Sequence, residues 1–285
     1  MNSKISIVTV TYNSSKNIVN LLNSMYRNRA MINEVFIIEN NSNDRKETKR
    51  ICEKFSKKMK LSYICRKNVG FGTSCNYGAN LSKSELILFL NPDTEIEGDS
   101  LKILLDHFQK DKADIIGGKA INYEGKIHGS VVRYPTLFTG LFEFSNLGKF
   151  LRIKSAHEQF YYEDLNILRS KLDRQVDAVS GAYLLIAKNT FSKLKGFDEN
   201  IFMYLEDVDL CKRANDLGLR VFFCPHSIIR HVGGASSQNK YKIRHQAWFD
   251  SRKYYYRKHF GILANIIIQP IYTIEEFLLK MIKKI

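Results

Sequence analysis

The sequence predicts an α/β fold with a mostly parallel central sheet, helices on both of its faces and a helical extension at the C-terminus. Three observations carry that expectation. Apolar, β-branched runs alternate with amphipathic helical patterns from Ile5 to Phe108. The segments that follow the first four runs, TYN, ENNSND, KNVG and NPDTE, are all polar. From Tyr241 onward the pattern is helical throughout. Strands alternating with helices imply right-handed crossovers, and such sheets bind ligands beyond the carboxyl ends of their strands.

Ile5–Val10 reads as the first strand, and Ile18, Leu21, Leu22 and Met25 mark the buried face of the helix after it. Glu34–Ile38 is the second strand. The strongly basic stretch RKETKRICEKFSKKMK (45–60) is a solvated helix whose apolar side carries Ile51 and Phe55. Leu61–Cys65 follows, then the glycine-punctuated segment NVGFGTSCNYGAN (68–80), the strand Leu86–Leu90, a polar turn and a helix around Leu101–Phe108. Residues 140–175 mix aromatics with both charge signs and resist assignment. Regularity resumes with Val176–Val179, SGA and Tyr183–Ala187. Leu210, Cys211, Ala214 and Leu217 then recur at helical spacing before Gly218, a natural helix stop. The expected division is a domain at 1–240 and a basic, amphipathic helical extension at 241–285.

At 285 residues, 44% hydrophobic and 26% charged, the chain has the composition of an ordinary soluble globular protein. Five cysteines with no CxxC pair argue against a disulfide framework or a zinc site, and fit a reducing cytosol. MNSKISIVTV is too briefly apolar for a secretory signal, and no uninterrupted apolar stretch reaches membrane-spanning length. The formal charge of +15 points to an anionic partner: nucleic acid, anionic lipid or a phosphorylated small molecule.

Against that charge, FMYLEDVDLC places Glu206, Asp207 and Asp209 together just after an apolar run. A helix starting near Glu206 welcomes acids in its first turn, and Asp209 precedes Arg213 by the spacing of a stabilising helical ion pair. One carboxylate would serve as a cap; Glu206 and Asp207 together ask for another explanation. Asp93 in NPDTE either shapes a turn or holds a hard divalent ion at a strand end. His231, in IRHVGGASS, follows another strand-like run (Arg220–Cys224) and is read either as structural or as a metal ligand. Neither GxGxxG nor GxxxxGK[ST] occurs, which removes the usual dinucleotide loop and the P-loop.

The ordered set VTVTYNS, IIENNSND, NVGFGTSCNYG, FLNPDTE, SGAYLLIAKNTFSKLKGFDENIFMYLEDVDLC and RHVGGAS resembles the family 2 inverting glycosyltransferases of the GT-A fold. It is most similar to their bacterial rhamnosyltransferase branch, over roughly residues 4–260. The resemblance implies that Thr11, Tyr12 and Asn13 border the nucleoside and that Glu39 and Asn41 contact base or ribose. The family more often has Asp at the position of Glu39. Asn68, Gly70 and Asn76 would support the nucleotide sugar. NPD stands where the family has its DxD metal motif, with Asn91 replacing the first acid. Asp93 would then ligate Mn2+ or Mg2+ together with His231. Asp207 would be the catalytic base with Glu206 beside it, and Gly181 and Ala182 a small-residue floor on the acceptor side. The implied donor is dTDP-rhamnose or a UDP-hexose, and the implied acceptor a bacterial surface glycan, on a polyprenyl diphosphate lipid or free of it.

Three rivals fit less of the sequence. A glycoside hydrolase leaves NPD and ENNSND unexplained, and a nucleotidyltransferase would carry a basic, Gly-rich loop after the first strand. A non-catalytic nucleic-acid binder uses only the charge, so no nucleic-acid partner is expected. In the extension, Ile274, Phe277, Leu278, Met281, Ile282 and Ile285 fall at helical spacing with lysines among them near the end. That suits a cytoplasmic protein held peripherally on the anionic inner face of the cell membrane. The alternative is a helix packed on the protein's own core or in a homodimer.

Overall fold

The structure is a computed structural model that describes residues 4–127, 129–162, 167–231 and 241–283. Its first half follows the alternation of the sequence: β1 (Ile5–Thr11), α1 (Ile18–Arg27), β2 (Ile32–Glu39), α2 (Arg45–Ser56), β3 (Leu61–Cys65), α3 (Phe71–Leu81), β4 (Leu86–Leu90), β5 (Thr94–Ile96), α4 (Ser100–Lys110) and β6 (Ile115–Ile121). Every residue of β1 and β4 is buried. Both strands are covered on two faces, which is why they read as continuous rather than alternating apolar runs. Ile18, Leu21, Leu22 and Met25 of α1 are buried as their spacing requires.

The second half contains β7 (Val131–Val132), three short helices α5 (Leu137–Phe142), α6 (Leu147–Phe150) and α7 (Ser155–Phe160), then β8 (Arg174–Gln175), β9 (Ala178–Val179), β10 (Tyr183–Ala187), α8 (Lys188–Lys193), α9 (Glu206–Asp216) and β11 (Val221–His231). The main sheet has the order β3-β2-β1-β4-β10-β6-β11-β5, with β8 paired to β11; β7 and β9 form a separate ribbon. The β3-β2-β1-β4 run and the β6-β11 pair are parallel, whereas β10 enters antiparallel between β4 and β6, and β5 and β8 pair antiparallel with β11. The glycine-interrupted strand β6 escapes the apolar pattern. A Cβ at Gly117 would lie 2.6 Å from Val179 Cβ, and one at Gly118 2.4 Å from Tyr183 Cε1, so both glycines are required by close packing.

α10 (Tyr241–Leu263) and α11 (Gln269–Lys283) follow, joined by a π-helical turn at Ala264–Ile268. By length and composition Ile243–Met281 could cross a membrane. This overturns the expectation that no segment is long and apolar enough, because that expectation counted uninterrupted apolar residues. The segment is not one straight rod, however. Gly261, at φ 53° and ψ −124°, breaks the helix, and α11 returns along α10. Gln269 Nε2 donates to the Lys253 carbonyl, and Gln246 Nε2 to Glu276. Arg252, 1% exposed, pairs with Glu275 at 3.0 Å and sits over the Tyr272 ring. Tyr255, Tyr256, Ala264, Ile268 and Tyr272 belong to the same apolar cluster as Val8, Phe89 and Leu184 of the sheet. The hairpin therefore shares the core of the α/β unit. Among the bases of this basic extension, Arg252, Lys253 and Lys258 all form ion pairs within the protein.

Candidate active site

The carboxyl ends of β1, β2 and β4 and the start of α9 converge on one cavity of about 560 Å³. That volume is ordinary for a small-molecule site. Tyr12, Asn68, Gly70, Asn91 and Asp93 line one part of it; Gly181, Ala182, Glu206 and Asp207 line another.

Glu206 and Asp207 open α9 behind two consecutive left-handed residues, Tyr204 (φ 74°) and Leu205 (φ 67°). Neither is glycine, so this backbone is strained. The hairpin braces it: Ser251 Oγ donates to the Met203 carbonyl at 2.8 Å, and Arg244 Nε to the Tyr204 hydroxyl at 3.1 Å. Asp207 Oδ2 accepts the Gly181 N–H and Oδ1 accepts the Val208 N–H, each at 2.8 Å. Burial raises the Asp207 pKa above the usual carboxylate range, against those two hydrogen bonds. Glu206 is pushed up as well, by burial first and then by the neighbouring Asp207 charge. Its Oε2 is buried with no hydrogen-bond partner. Gly181 has an ordinary φ, and a Cβ there would be 3.4 Å from Phe71 and 3.5 Å from Asp207. Its smallness keeps open the space beside the acid.

Asp93 and His231 come from different strand ends and meet: Oδ1 and Nε2 are 3.3 Å apart, and both side chains are largely buried. The Asn91 N–H donates to the Ala182 carbonyl, and Thr94 Oγ1 to the Asn91 carbonyl, fixing the NPDT turn. At the other strand ends the placement is less direct. Thr11 and Glu39 are fully buried and bonded to each other at 2.8 Å, and Glu39 also accepts the Ser42 N–H. They lie outside the cavity lining. Asn13 and Asn41 occupy left-handed conformations (φ 54° and 53°), which asparagine tolerates, and they shape the loops next to Tyr12 and Asn40. Gly70 caps α3 at φ 96°, and a Cβ would be 2.4 Å from the Phe202 carbonyl. Only glycine fits there. Asn68 Oδ1 accepts the Gly70 N–H.

The structure does not bring Asn76 to the cavity. Its amide donates to the Phe197 carbonyl and Glu199, and accepts the Phe197 N–H. It ties α3 to the loop after α8, so its hydrogen-bonding capacity is taken up by the fold. Sequence reading also missed one whole wall. Glu143, Phe144, Phe160 and Tyr161 come from the unassigned segment, and Ile243, Arg244 and Trp248 from the hairpin. Phe144 packs edge-on against Trp248 with ring centroids 5.0 Å apart. The aromatics interleaved with bases in HQAWFDSRKYYYRKHFG were the available signal; a helix with one aromatic, inward side explains them.

The family description "Glycosyl transferase family 2" matches residues 6–175, more than half of the chain. The protein belongs to glycosyltransferase family 2. As a family 2 glycosyltransferase it is 29% identical to the rhamnosyltransferase WbbL of Escherichia coli over 198 residues, 66% of this chain and 69% of that protein. It is 28% identical to the N-acetylglucosaminyl-diphospho-decaprenol L-rhamnosyltransferase of Mycobacterium tuberculosis, over 58% of this chain and 56% of the relative. The mannosyltransferase PcManGT of Pyrobaculum calidifontis, solved with GDP-Man and Mn2+, superposes with a TM-score of 0.59 at 14% identity. The superposition covers 90% of this chain and 64% of that one. It shows the fold. The central sheet of this family 2 enzyme is thus the GT-A sheet expected from the motifs.

Proposed function

We propose that this glycosyltransferase moves a sugar, with inversion, from dTDP-rhamnose or a UDP-hexose to a hydroxyl of a bacterial surface glycan or a polyprenyl-diphosphate-linked acceptor. The observation that carries the proposal is Asp207: a half-buried carboxylate at a cavity wall, oriented by two backbone N–H groups, in the same cavity as Asp93. The acceptor hydroxyl gives its proton to an Asp207 oxygen as it attacks the anomeric carbon from the side opposite the leaving diphosphate. Burial and the Asp207 charge hold the neighbouring Glu206 protonated to higher pH, so the two acids titrate as a pair. Phe144, Phe160 and Trp248 exclude water from the acceptor's approach. Likeness to the two rhamnosyltransferases favours rhamnose, and the relative named for a decaprenol-linked substrate supports a lipid-linked acceptor.

The Asp93–His231 pair fits a divalent ion. One carboxylate and one imidazole in contact at a cavity edge give a mixed O/N set of the kind manganese accepts. Mn2+ or Mg2+ held there would supply Lewis-acid stabilisation to the departing diphosphate. Asp93→Ala and His231→Ala are each expected to weaken manganese-dependent binding of the nucleoside diphosphate at least about tenfold and to remove most turnover. Calorimetry with and without manganese measures the first effect. Unchanged manganese affinity in His231→Ala would make His231 a structural partner of Asp93 only. Turnover with a panel of nucleotide sugars identifies the donor, and no turnover with any of them would overturn the reading.

Peripheral attachment to an anionic membrane surface follows from the same acceptor chemistry. Ile262, Ile266, Ile274, Phe277 and Met281 form an exposed apolar stripe along the outer side of the hairpin, with Ile262 76% exposed. Deleting the second arm would also strip Tyr272 and Glu275 from the core, so substitution is the cleaner experiment. The Ile266→Ser, Phe277→Ser double variant is expected to lose co-sedimentation with anionic vesicles while its nucleotide binding stays intact. If wild-type protein remains in the supernatant at low salt, the stripe belongs to a protein interface instead.

A further inference from the structure

A second group of metal-ligating side chains lies on the sheet well away from the cavity. His107 comes from the last turn of α4, Asp173 directly precedes β8, and Cys224 stands where β11 departs from its register with β6. Their ligand atoms all lie within 4.8 Å of one another. Four tetrahedral ligands on one zinc ion, at about 2.0–2.3 Å from it, are separated by roughly 3.3–3.8 Å, so a small rearrangement suffices, in which the touching His107 and Asp173 part to admit the ion.

The remaining polar groups also call for a cation. Asp111, at the C-terminal end of α4, sits against Asp173. Asp173 Oδ2 is in contact with His107 Nδ1, but Asp173 Oδ1 and Asp111 Oδ2 are both buried without a hydrogen-bond partner. The Asp173 side chain is only 7% exposed. Two carboxylates in contact cannot satisfy each other, and one imidazole balances at most one of them. A shared proton or a metal ion resolves the conflict. Cys224 is fully buried, whereas His107 keeps 23% of its side chain exposed, which leaves a route for an ion.

We propose that His107, Asp173 and Cys224, with Asp111 as a fourth donor, bind a zinc ion. An imidazole, carboxylates and a single thiolate form a borderline-soft set, which suits zinc and disfavours magnesium or calcium. The cysteine spacing argues only against zinc sites built from neighbouring cysteines; here one cysteine meets donors from two distant segments. The ion would staple α4, β8 and β11 together. His231 lies seven residues beyond Cys224 on the same strand, roughly 20 Å away at strand rise. The site is therefore separate from Asp93 and His231 and does not rest on the catalytic reading.

The experiment uses full-length protein, stripped with a chelator in a phosphine reductant and titrated with zinc against a chromophoric competitor. Cobalt is substituted in parallel to read thiolate ligation through its charge-transfer band. The Asp93→Ala, His231→Ala double variant is expected to retain one tightly bound zinc and the cobalt–thiolate band. Adding Cys224→Ala removes the band, and Asp173→Asn, nearly isosteric, weakens zinc at least tenfold. Zinc should also raise the melting temperature of wild-type protein, a readout that needs no variant to fold. Absence of a bound equivalent in the double variant would overturn the proposal and leave a proton between Asp111 and Asp173. Persistence of the band in the Cys224→Ala background would overturn it equally.

Discussion

Asp207→Asn is expected to lower turnover by about 10²–10⁴-fold, the usual span for loss of a general base, while donor affinity changes little. The reason lies in where Asp207 points its hydrogen bonds. Both oxygens are already held by the N–H groups of Gly181 and Val208. An amide nitrogen in place of one oxygen must face one of these donors or turn towards the acceptor. Either arrangement leaves no carboxylate to take the proton. Wild-type turnover should also depend on pH with a definite sign. The base works only when ionised, and burial holds Asp207 and Glu206 above the ordinary carboxylate range. Turnover should therefore rise with pH through an apparent pKa higher than the roughly 4 of a free carboxylate, and that value belongs to the pair. Calorimetric donor affinity beside product formation across pH separates binding from chemistry. Retention of more than about a tenth of wild-type turnover by the variant would show that Asp207 is not the base.

Much of this arrangement was legible because it depends on local sequence. The buried strands β1 and β4 announce themselves as continuous apolar runs, and the polar segments after them are where a parallel sheet binds ligands. The start of α9 was legible from the acids in its first turn. The parts that were not legible depend on contacts between distant segments. Strand β6 is broken by glycines whose necessity lies in Val179 and Tyr183, about sixty residues further on. Asn76 looks like a ligand-binding amide until Phe197 takes both ends of it. The aromatic wall joins residues 143–161 to Trp248, and the reversal at Gly261 turns a basic helix inward. Neither is visible in any local periodicity.

The same long-range packing changes the expectation for Asp209. As a helical pair with Arg213 alone, its loss would cost a few tenths of a kcal/mol. In the structure it is fully buried and surrounded by bases. Arg213 Nε donates to it at 2.8 Å, Lys258 Nζ at 2.5 Å and His259 Nε2 lies at 2.9 Å. Lys258 and His259 come from the hairpin, so this carboxylate fastens α9, and with it Glu206 and Asp207, to the C-terminal helices. Arg213 also donates to the carbonyls of Leu194 and Gly196 and cannot follow a departing charge. Removing one partner of a buried ionic group leaves the others uncompensated, at a cost of about 3–5 kcal/mol. Asp209→Asn should accordingly lower the melting temperature by on the order of 10 °C, since each kcal/mol is worth about 2–4 °C in a domain approaching this size. The pH dependence provides an independent check. Hydrogen bonds from His259, Lys258 and Arg213, with the Arg213 charge, hold the Asp209 pKa below its ordinary value against the cost of burial. Its stabilisation is then present above the unfolded-state pKa of about 3.9 and is lost as pH falls through the lower native value. The variant should lack that acid-side loss, so its deficit should be largest near neutral pH and narrow on acidification. Thermal denaturation followed by circular dichroism at neutral and acid pH measures both effects. A shift below about 2 °C at neutral pH would mean that the bases around Asp209 are satisfied without it, and that the hairpin is held to α9 by apolar packing alone.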